Sequence, residues 1–129
     1  ETNVKENISS VMPVMADALE ICETFADGEL DLGVSNPPYI KSADIETLQK
    51  EVRLEPRLAL DGGEDGYDFY REIVSRRSRK LKKGGALAFE LGEGQADAVK
   101  ALMTDKGFSD FKISLDFGGV QRAIIGTLL

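Results

Sequence analysis

The sequence predicts an α/β fold built on an open sheet that is parallel in its middle. Apolar segments of strand length alternate with segments of helical spacing along the 129 residues. One of them, "LDLGVS" (30–35), is apolar enough for a strand that is buried on both faces. The last two segments, "SDFKISLDFGG" and "VQRAIIGTLL", are separated only by the turn at 116–119, which predicts an antiparallel C-terminal pair of strands.

The predicted strands follow from local patterns. Pro13 lies within the first apolar segment, "SVMPVMADALE", and therefore predicts an edge or irregular strand near 11–15 that ends at Ala16–Asp17. "LDLGVS" is the second strand and "ALAFELG" (86–92) is the third. The two C-terminal segments complete the sheet.

Three helices are predicted between the strands. Ser42, followed by acidic residues, predicts a helix start. Apolar residues at helical spacing predict a second helix from Tyr67 to Gly84–Gly85. "GQADAVKALMTDKGF" predicts a third, with Gly107 past its end. The order is strand, strand, helix, helix, strand, helix, strand, strand.

Composition restricts the class of protein. A chain that is 42% hydrophobic and 30% charged is globular, and its length fits one domain. The net charge of −7 argues against a nucleic-acid partner, and the basic run at 76–83 is interpreted as the solvated end of a helix. One cysteine and no histidine exclude an internal disulfide and Ser-His or Cys-His catalysis, and no metal site is predicted. No membrane span is visible, so a cytoplasmic location is expected.

The segment "SNPPY" (35–39) follows the second strand and contains candidate residues for binding a substrate amine. A stiff loop is the simplest interpretation, because Pro37 and Pro38 have fixed φ and no N–H. The Asn36 amide and the Pro37 carbonyl also offer two acceptors for both hydrogens of a substrate –NH2 group. Such a grip would take the nitrogen lone pair out of conjugation and fix its direction, and Tyr39 could stack on a planar amide or base. This chemistry suits attack of an amine on an electrophilic methyl group.

Polar residues at predicted strand ends indicate a shared crevice. Asp17, Asn36 and Glu90 each lie at or near the carboxyl end of a strand. In open α/β sheets, ligands bind beyond these ends. Each residue also has a structural interpretation: Asp17 could cap a helix, and Glu90 could meet a backbone donor.

At this point the sequence resembles a known family. "NPPY" after an apolar strand is similar to the amino-methyltransferase motif shared by adenine-N6 and glutamine-N5 enzymes that depend on S-adenosylmethionine. Together with "EPRLALDGGEDGYDFYREIV", "GGALAFELGEGQ" and "RAIIG", it resembles the HemK/PrmC family of release-factor glutamine methyltransferases. The resemblance implies a Rossmann-like class I methyltransferase fold and, as substrate, the glutamine of a Gly-Gly-Gln loop in peptide-chain release factors.

The resemblance also implies roles for individual residues. Asn36 and the Pro37 carbonyl would hold the glutamine carboxamide, beside Pro38 and Tyr39, and Asn36 would also border the cofactor. Asp17 would bind the cofactor by accepting a hydrogen bond from the adenine amino group. Glu55, Pro56 and the turn 61–66 would shape the substrate side of the site. Glu90 and Arg122 would have mainly structural roles. Arg122 could equally pair with Asp116.

The chain departs from the family at its N-terminal side. The family's glycine-rich turn after its first strand, and the acid after its second, have no counterpart here. Residues 1–129 are therefore predicted to be the C-terminal portion of a catalytic domain that lacks two strands and is inactive or nearly so alone. In the family's strand order, 3-2-1-4-5-7-6, the strand at 30–35 would become an exposed apolar edge. We expect the first strand to pair there, or two chains to associate through it.

Two alternatives of function stay open at this point. The first is an adenine-N6 nucleic-acid methyltransferase, against which the acidic balance and the "EVRLEPRLAL" block weigh. The second is a non-catalytic α/β interaction module, which the missing glycine turn favours. Within the glutamine methyltransferases, the enzyme that acts on a ribosomal protein also shares "NPPY", and the "RAIIG" ending fits the release-factor branch better.

Overall fold

The computed structural model describes the backbone of residues 14–15, 19–47 and 60–129. The elements of this part of the chain, in order, are a 3₁₀ helix at Ile21–Thr24, strand β1 at Leu30–Ser35, a 3₁₀ helix at Ser42–Thr47, helix α1 at Asp68–Lys80, strand β2 at Leu81–Glu90, helix α2 at Ala96–Asp105, strand β3 at Phe108–Leu115 and strand β4 at Gln121–Leu128. None of the described helices is long and apolar enough to cross a membrane.

The four described strands form one sheet in the order β1-β2-β4-β3. β1 and β2 run parallel, whereas β4 is antiparallel to both β2 and β3. The α/β class and the antiparallel C-terminal pair are thus confirmed. Ser35 pairs with Phe89, and Glu90 with Ala123, so β1 and β2 end together where β4 begins. We call this side of the sheet the carboxyl edge.

The two α-helices, α1 and α2, pack on the same face of the sheet. Leu87 and Phe89 of β2 point to this face, since alternate residues of a strand share a side, and both are fully buried. They belong to one hydrophobic core that includes Tyr70 and Val74 of α1 and Val99 of α2. Burial of side chains this large supplies about 1.5–3 kcal/mol each to folding, which makes this face the stable base of the carboxyl edge.

The opposite face of β1 is open in the described part of the chain. Leu32 is 53% exposed and Val34 is 67% exposed, so the expectation that this strand is buried on both faces is wrong for the described residues. Among the described strands β1 lies at the edge of the sheet, the position expected if the family's first strands are missing. Of the strand expected near 11–15, only Val14 and Met15 are described; both are exposed and not in a strand. Pairing or self-association at this edge stays a prediction.

The second predicted helix ends earlier than expected. The helix stops at Lys80 and β2 begins at Leu81, whose φ of −80° and ψ of 145° are extended, not at Gly84–Gly85. Leu81 is drawn into the sheet because it pairs with Leu30, a contact that helical periodicity cannot reveal. Gly84 adopts a positive φ of 84° in the irregular stretch that follows, where only glycine is unstrained.

The basic run is not wholly solvated, which corrects that interpretation. Lys80 is buried at 7% exposure, and its Nζ lies 3.0 Å from Asp27 Oδ1. A hydrogen bond from Lys80 lowers the pKa of Asp27 below its usual range. The other predicted helices are confirmed where they are described: Ser42 begins a 3₁₀ helix, and Gly107 follows the end of α2 with a φ of 96°.

Candidate functional site

Segment 36–39 leaves β1 at the carboxyl edge of the sheet. Asn36 is exposed, Pro37 is buried, and Tyr39 is half-buried. The last β1–β2 pair joins Ser35 to Phe89, so Asn36 is the first residue beyond the parallel pairing. The structure thus presents the Asn36 side chain to solvent at the edge where open α/β sheets bind ligands.

Tyr39 is anchored from the loop that follows β2. The Gln95 side chain donates from Nε2 to the Tyr39 carbonyl at 3.0 Å. Its Oε1 accepts from the Gly92 backbone N–H at 2.9 Å. One amide therefore ties the end of the Pro-Pro-Tyr segment to the end of β2. Sequence reasoning missed Gln95, because a glutamine before a helix carries no local signal of a contact with a residue so distant in the chain.

Three glycines approach Tyr39 so closely that a side chain would not fit. A Cβ added at Gly62 would lie 2.7 Å from Tyr39 Cα, and one at Gly66 would lie 2.6 Å from Tyr39 O. A Cβ at Gly92 would lie 2.5 Å from Cδ2 of the Tyr39 ring. We refer to Gln95 and these glycines as the Tyr39 anchor. The glycines of "DGGEDG", interpreted from sequence first as loop punctuation, thus have a packing role.

The residue after the segment joins the same turn through backbone bonds. Ile40 N donates to Leu60 O at 3.1 Å, and Gly62 N donates to Ile40 O at 2.8 Å. Together with a parallel bridge between Ile40 and Asp61, these bonds fix the direction in which the chain leaves Tyr39. The turn at 61–66 is therefore packed on the exit of segment 36–39.

A buried tyrosine fixes the end of β2, which leads into the loop that carries Gln95. Tyr70 of α1 donates its hydroxyl proton to the Glu90 carbonyl at 2.7 Å, and its ring meets Phe89 edge-on at a centroid distance of 5.2 Å. Burial raises the pKa of Tyr70 well above its ordinary value, so the phenol stays protonated and acts as a donor. The end of β2 is thereby fixed to the helical layer.

A cavity of about 400 Å³ opens beside Tyr39. Its walls are aromatic and polar, and its lining residues are Tyr39, Ile40, Lys41, Asp44, Asp65, Tyr67, Gly92, Glu93, Gly94 and Gln95. A hydrogen bond from Arg71 lowers the pKa of Asp65 to about 2, so this carboxylate stays ionised even in mild acid. The cavity could hold a flexible polar segment of a larger ligand against the Tyr39 anchor.

Arg122 and Glu90 lie at the same edge. Arg122 Nε is 3.0 Å from Asp116 Oδ2, so the predicted structural pairing is confirmed. The Val120 amide and Arg122 both hold the pKa of Asp116 below its usual range, and Asp116 in turn raises the pKa of Arg122. The side chain of Glu90 is exposed, and its backbone carbonyl receives the Tyr70 bond. A side-chain bond from Glu90 to a backbone donor is not seen within the described residues.

The remaining predicted site residues, Asp17, Glu55 and Pro56, lie outside the described residues. The structure therefore brings together Asn36, Tyr39 and the turn at 61–66, while the roles assigned to individual residues stay predictions. No group of three or more acidic, histidine or cysteine side chains that could hold a metal ion occurs in the ranges that the structure describes.

The fold defines the class of protein first. A structure from Thermus thermophilus, named a candidate DNA modification methylase and complexed with S-adenosyl-L-methionine, superposes with a TM-score of 0.59 at 16% identity, over 88% of this chain and 51% of that one. At this identity the likeness shows the fold alone. The release factor-specific protein-(glutamine-N5) methyltransferase of Alicyclobacillus acidocaldarius superposes with a TM-score of 0.51 at 27% identity, over 85% of this chain and 54% of that one. The fold is the class I methyltransferase fold, in part.

Sequence relatives then identify the family. No family model matches the chain. A release factor glutamine methyltransferase of Geobacter sulfurreducens is 50% identical over 82% of this chain and 38% of its own length. That of Thermodesulfovibrio yellowstonii is 34% identical over 97% of this chain and 44% of its own length. The resemblance is confirmed: the chain belongs to the release factor glutamine methyltransferase (HemK/PrmC) family, and it spans less than half the length of these relatives.

Proposed function

We propose that the chain forms the acceptor side of a protein-(glutamine-N5) methyltransferase. The observation that carries the proposal is the contrast within segment 36–39, where an exposed Asn36 amide precedes a tightly anchored Tyr39. An amide that is free to meet a substrate, on a backbone that cannot drift, is what catalysis by positioning requires. The relatives at 34% and 50% identity, which are named for this activity, support the same proposal.

The chemistry follows from the acceptor amide. A carboxamide nitrogen is a poor nucleophile because its lone pair is delocalised into the carbonyl. Two acceptors, Asn36 Oδ1 and the Pro37 carbonyl, would accept both of its N–H groups and turn the lone pair toward the methyl donor. Formation of the nitrogen–carbon bond would be matched by cleavage of the donor's carbon–sulfur bond, whose electron pair would stay on sulfur. One N–H proton then leaves to water.

The family implies that S-adenosylmethionine is the methyl donor, and the described residues support this assignment only in part. S-adenosylmethionine supplies an electrophilic methyl group when bound. Segment 36–39 fits the acceptor side of that reaction. Asp17, proposed to accept from the adenine amino group, lies outside the described residues, and no other described residue is assigned to the adenosine part. The sequence has no glycine-rich turn of the family's kind, so the 129 residues alone are expected to bind the donor weakly or not at all.

The substrate proposed is the glutamine of a Gly-Gly-Gln loop in a peptide-chain release factor. The relatives' names support it, and so does a cavity beside Tyr39 that is large enough for residues that flank a glutamine in a polypeptide. The net charge of −7 favours a protein substrate over a phosphate backbone. The cytoplasmic location expected for a translation enzyme is part of the same proposal.

The test is a methyl-transfer assay on the complete protein that carries this chain. Purified release factor and S-adenosylmethionine are incubated with it, and the methylated residue is located by peptide mass spectrometry. Methylation of the Gly-Gly-Gln glutamine, abolished by a Gln-to-Asn change in the factor, is expected. A parallel reaction contains adenine-bearing DNA. Methylated DNA and an unmodified factor would favour the adenine-N6 alternative, and no transfer to either would favour an interaction module.

A further inference from the structure

We propose that Gln95 is a positioning residue for methyl transfer, because its amide holds the Tyr39 carbonyl and thereby the acceptor groups of Asn36 and Pro37. The inference rests on the proposed function and adds a residue to it. Gln95 lies on a different element from segment 36–39, at the position before α2, and nothing in the "NPPY" motif itself points to it. The proposal depends on two hydrogen bonds, on the absence of donors at the two prolines and on close packing.

Both ends of the Gln95 amide are used. Nε2 donates to Tyr39 O at 3.0 Å, and Oε1 accepts from Gly92 N at 2.9 Å. The second bond fixes the orientation of the amide, since reversing it would set two donors, Nε2 and the Gly92 N–H, against each other and place Oε1 against the Tyr39 carbonyl. The Tyr70 hydroxyl, which donates its proton to the Glu90 carbonyl, lies 3.5 Å from the same Oε1. Gln95 is therefore a fixed donor.

The segment needs such a donor from outside. Pro37 and Pro38 contribute no backbone N–H, so two consecutive residues cannot tie themselves to a neighbouring strand by donation. The segment is instead held at its end, where the Tyr39 carbonyl accepts the Gln95 bond. Because the two proline φ angles are fixed, fewer backbone rotations separate Asn36 from Tyr39, so a displacement at Tyr39 is transmitted to Asn36 more readily.

Close packing restricts the same contact. A Cβ at Gly92 would lie 2.5 Å from the Tyr39 ring and 2.7 Å from Gln95 Oε1, so ring and amide together occupy the space over Gly92. A Cβ at Gly66 would lie 2.6 Å from the Tyr39 carbonyl and 3.3 Å from Gln95 Nε2. The bridge is thus enclosed between two glycines, and a shift of the Gln95 amide would be felt directly by Tyr39.

The sharpest variant is Gln95→Glu. A carboxylate keeps the acceptor for Gly92 N but loses the donor and repels the Tyr39 carbonyl. In the complete protein, kcat for methyl transfer is expected to fall about tenfold to a hundredfold, as a misplacement on the order of 1 Å can cause. KM for S-adenosylmethionine is expected to stay within about twofold, because a bond on the acceptor side does not bind the donor. The matched control is Gln121→Glu, the same change at an exposed position of β4.

The pH profile separates positioning from a general structural defect. The carboxyl group that Gln95→Glu introduces faces the Tyr39 carbonyl, which raises its pKa, and the Gly92 N–H, which lowers it, and its protonated form regains a donor for Tyr39 O. The ratio of kcat in Gln95→Glu to kcat in the wild type is therefore expected to rise as pH falls through that pKa. For Gln95→Ala, which has no group to protonate, the ratio is expected to stay flat.

Amide hydrogen exchange gives a readout that needs no activity. Gly92 N–H is expected to stay protected in Gln95→Glu and to lose protection in Gln95→Ala. Wild-type kcat in Gln95→Glu, or a loss that is equal at every pH, would overturn the inference. If the wild-type protein transfers no methyl group to a release factor, the proposed function fails instead, and the positioning role fails with it. The exchange pattern would then still show whether Gln95 holds Gly92.

Discussion

The two ends of segment 36–39 are held in opposite ways. At its start, the Asn36 side chain is exposed, while at its end Tyr39 is enclosed by three glycines and bonded to Gln95. The two residues differ in what they need. A group that must bind a substrate needs hydrogen-bonding capacity that the protein leaves free. A group that sets the direction of the segment must already be hydrogen-bonded within the protein. Motif residues that are adjacent in sequence are thus separated into a working end, Asn36, and an anchored end, Tyr39.

The largest expected effect comes from removing the working end alone. Asn36→Ala in the complete protein should lower kcat for methyl transfer about 100- to 1,000-fold, the loss seen when one polar group that stabilises a transition state is removed. Because the side chain is exposed, the free energy of unfolding should change by less than about 0.5 kcal/mol. Steady-state kinetics and urea unfolding measure the two quantities. Gln121→Ala, another exposed amide, should leave both unchanged.

A result that would contradict this separation is a variant that loses stability together with activity. Near-normal kcat in Asn36→Ala would be equally damaging, since it would mean that the acceptor amide needs no grip from this side chain. Cofactor affinity, measured by calorimetry on the same complete protein, should stay nearly unchanged if Asn36 acts mainly on the acceptor.

The next effect comes from breaking the anchored end. Gly92→Ala forces a Cβ to within 2.5 Å of the Tyr39 ring and 2.7 Å of Gln95 Oε1, so the ring and the Gln95 amide must shift. Overpacking of this kind costs about 1–3 kcal/mol of unfolding free energy, and kcat should fall with it, by about tenfold or more. Gly118→Ala is the control, because its Cβ would meet only Asp116 Oδ1 at 3.4 Å. Unchanged kcat in Gly92→Ala would show that the ring position does not matter for transfer.

The smallest effect is expected at Asp65, which lines the cavity but lies outside the Tyr39 anchor. Its pKa is lowered from 3.8 to about 2 by Arg71, so the ion pair stabilises the folded state above pH 3.8. This contribution should be lost as pH falls from 3.8 toward about 2. Thermal unfolding of the wild type and Asp65→Asn should therefore differ slightly near neutral pH and converge in acid. A constant difference across this range would exclude the pair as its source.

Much of the fold can be predicted from sequence because the signals are local. The apolar pattern predicts a strand at 30–35, where β1 is found, and the β3–β4 pair follows from two apolar segments with a short turn. The end of α1 cannot be predicted, since residues 81–83 continue a basic, helix-compatible pattern as far as the two glycines, and Leu81 instead pairs with Leu30 in the sheet. The burial of Lys80 escapes sequence reasoning for the same reason, because its partner Asp27 is 53 residues away.

The candidate site divides in the same way. One short motif contains Asn36, Pro37 and Tyr39, and its chemistry can be inferred from the residue types alone. The Tyr39 anchor combines Gln95 and Gly92 with two glycines of the turn at 61–66, from two loops distant in the chain, and none of these residues has chemistry of its own. Glycine in a loop looks like a turn until the structure shows what lies where a Cβ would be.

The strand order has a consequence for how the site assembles. β2, α2, β3 and β4 are contiguous in the chain from 81 to 128, so their pairing closes shorter loops than the pairing of β1 does. β1 pairs Leu30 with Leu81 across a long intervening segment, and loop closure over such a distance is slow and entropically costly. We expect β1 to dock last, which pulse-labelled hydrogen exchange during refolding would show as late protection of 32–35. Segment 36–39 follows β1 directly, so the working end forms only when the sheet is complete, and a partly folded chain holds its scaffold without its reactive amide in place.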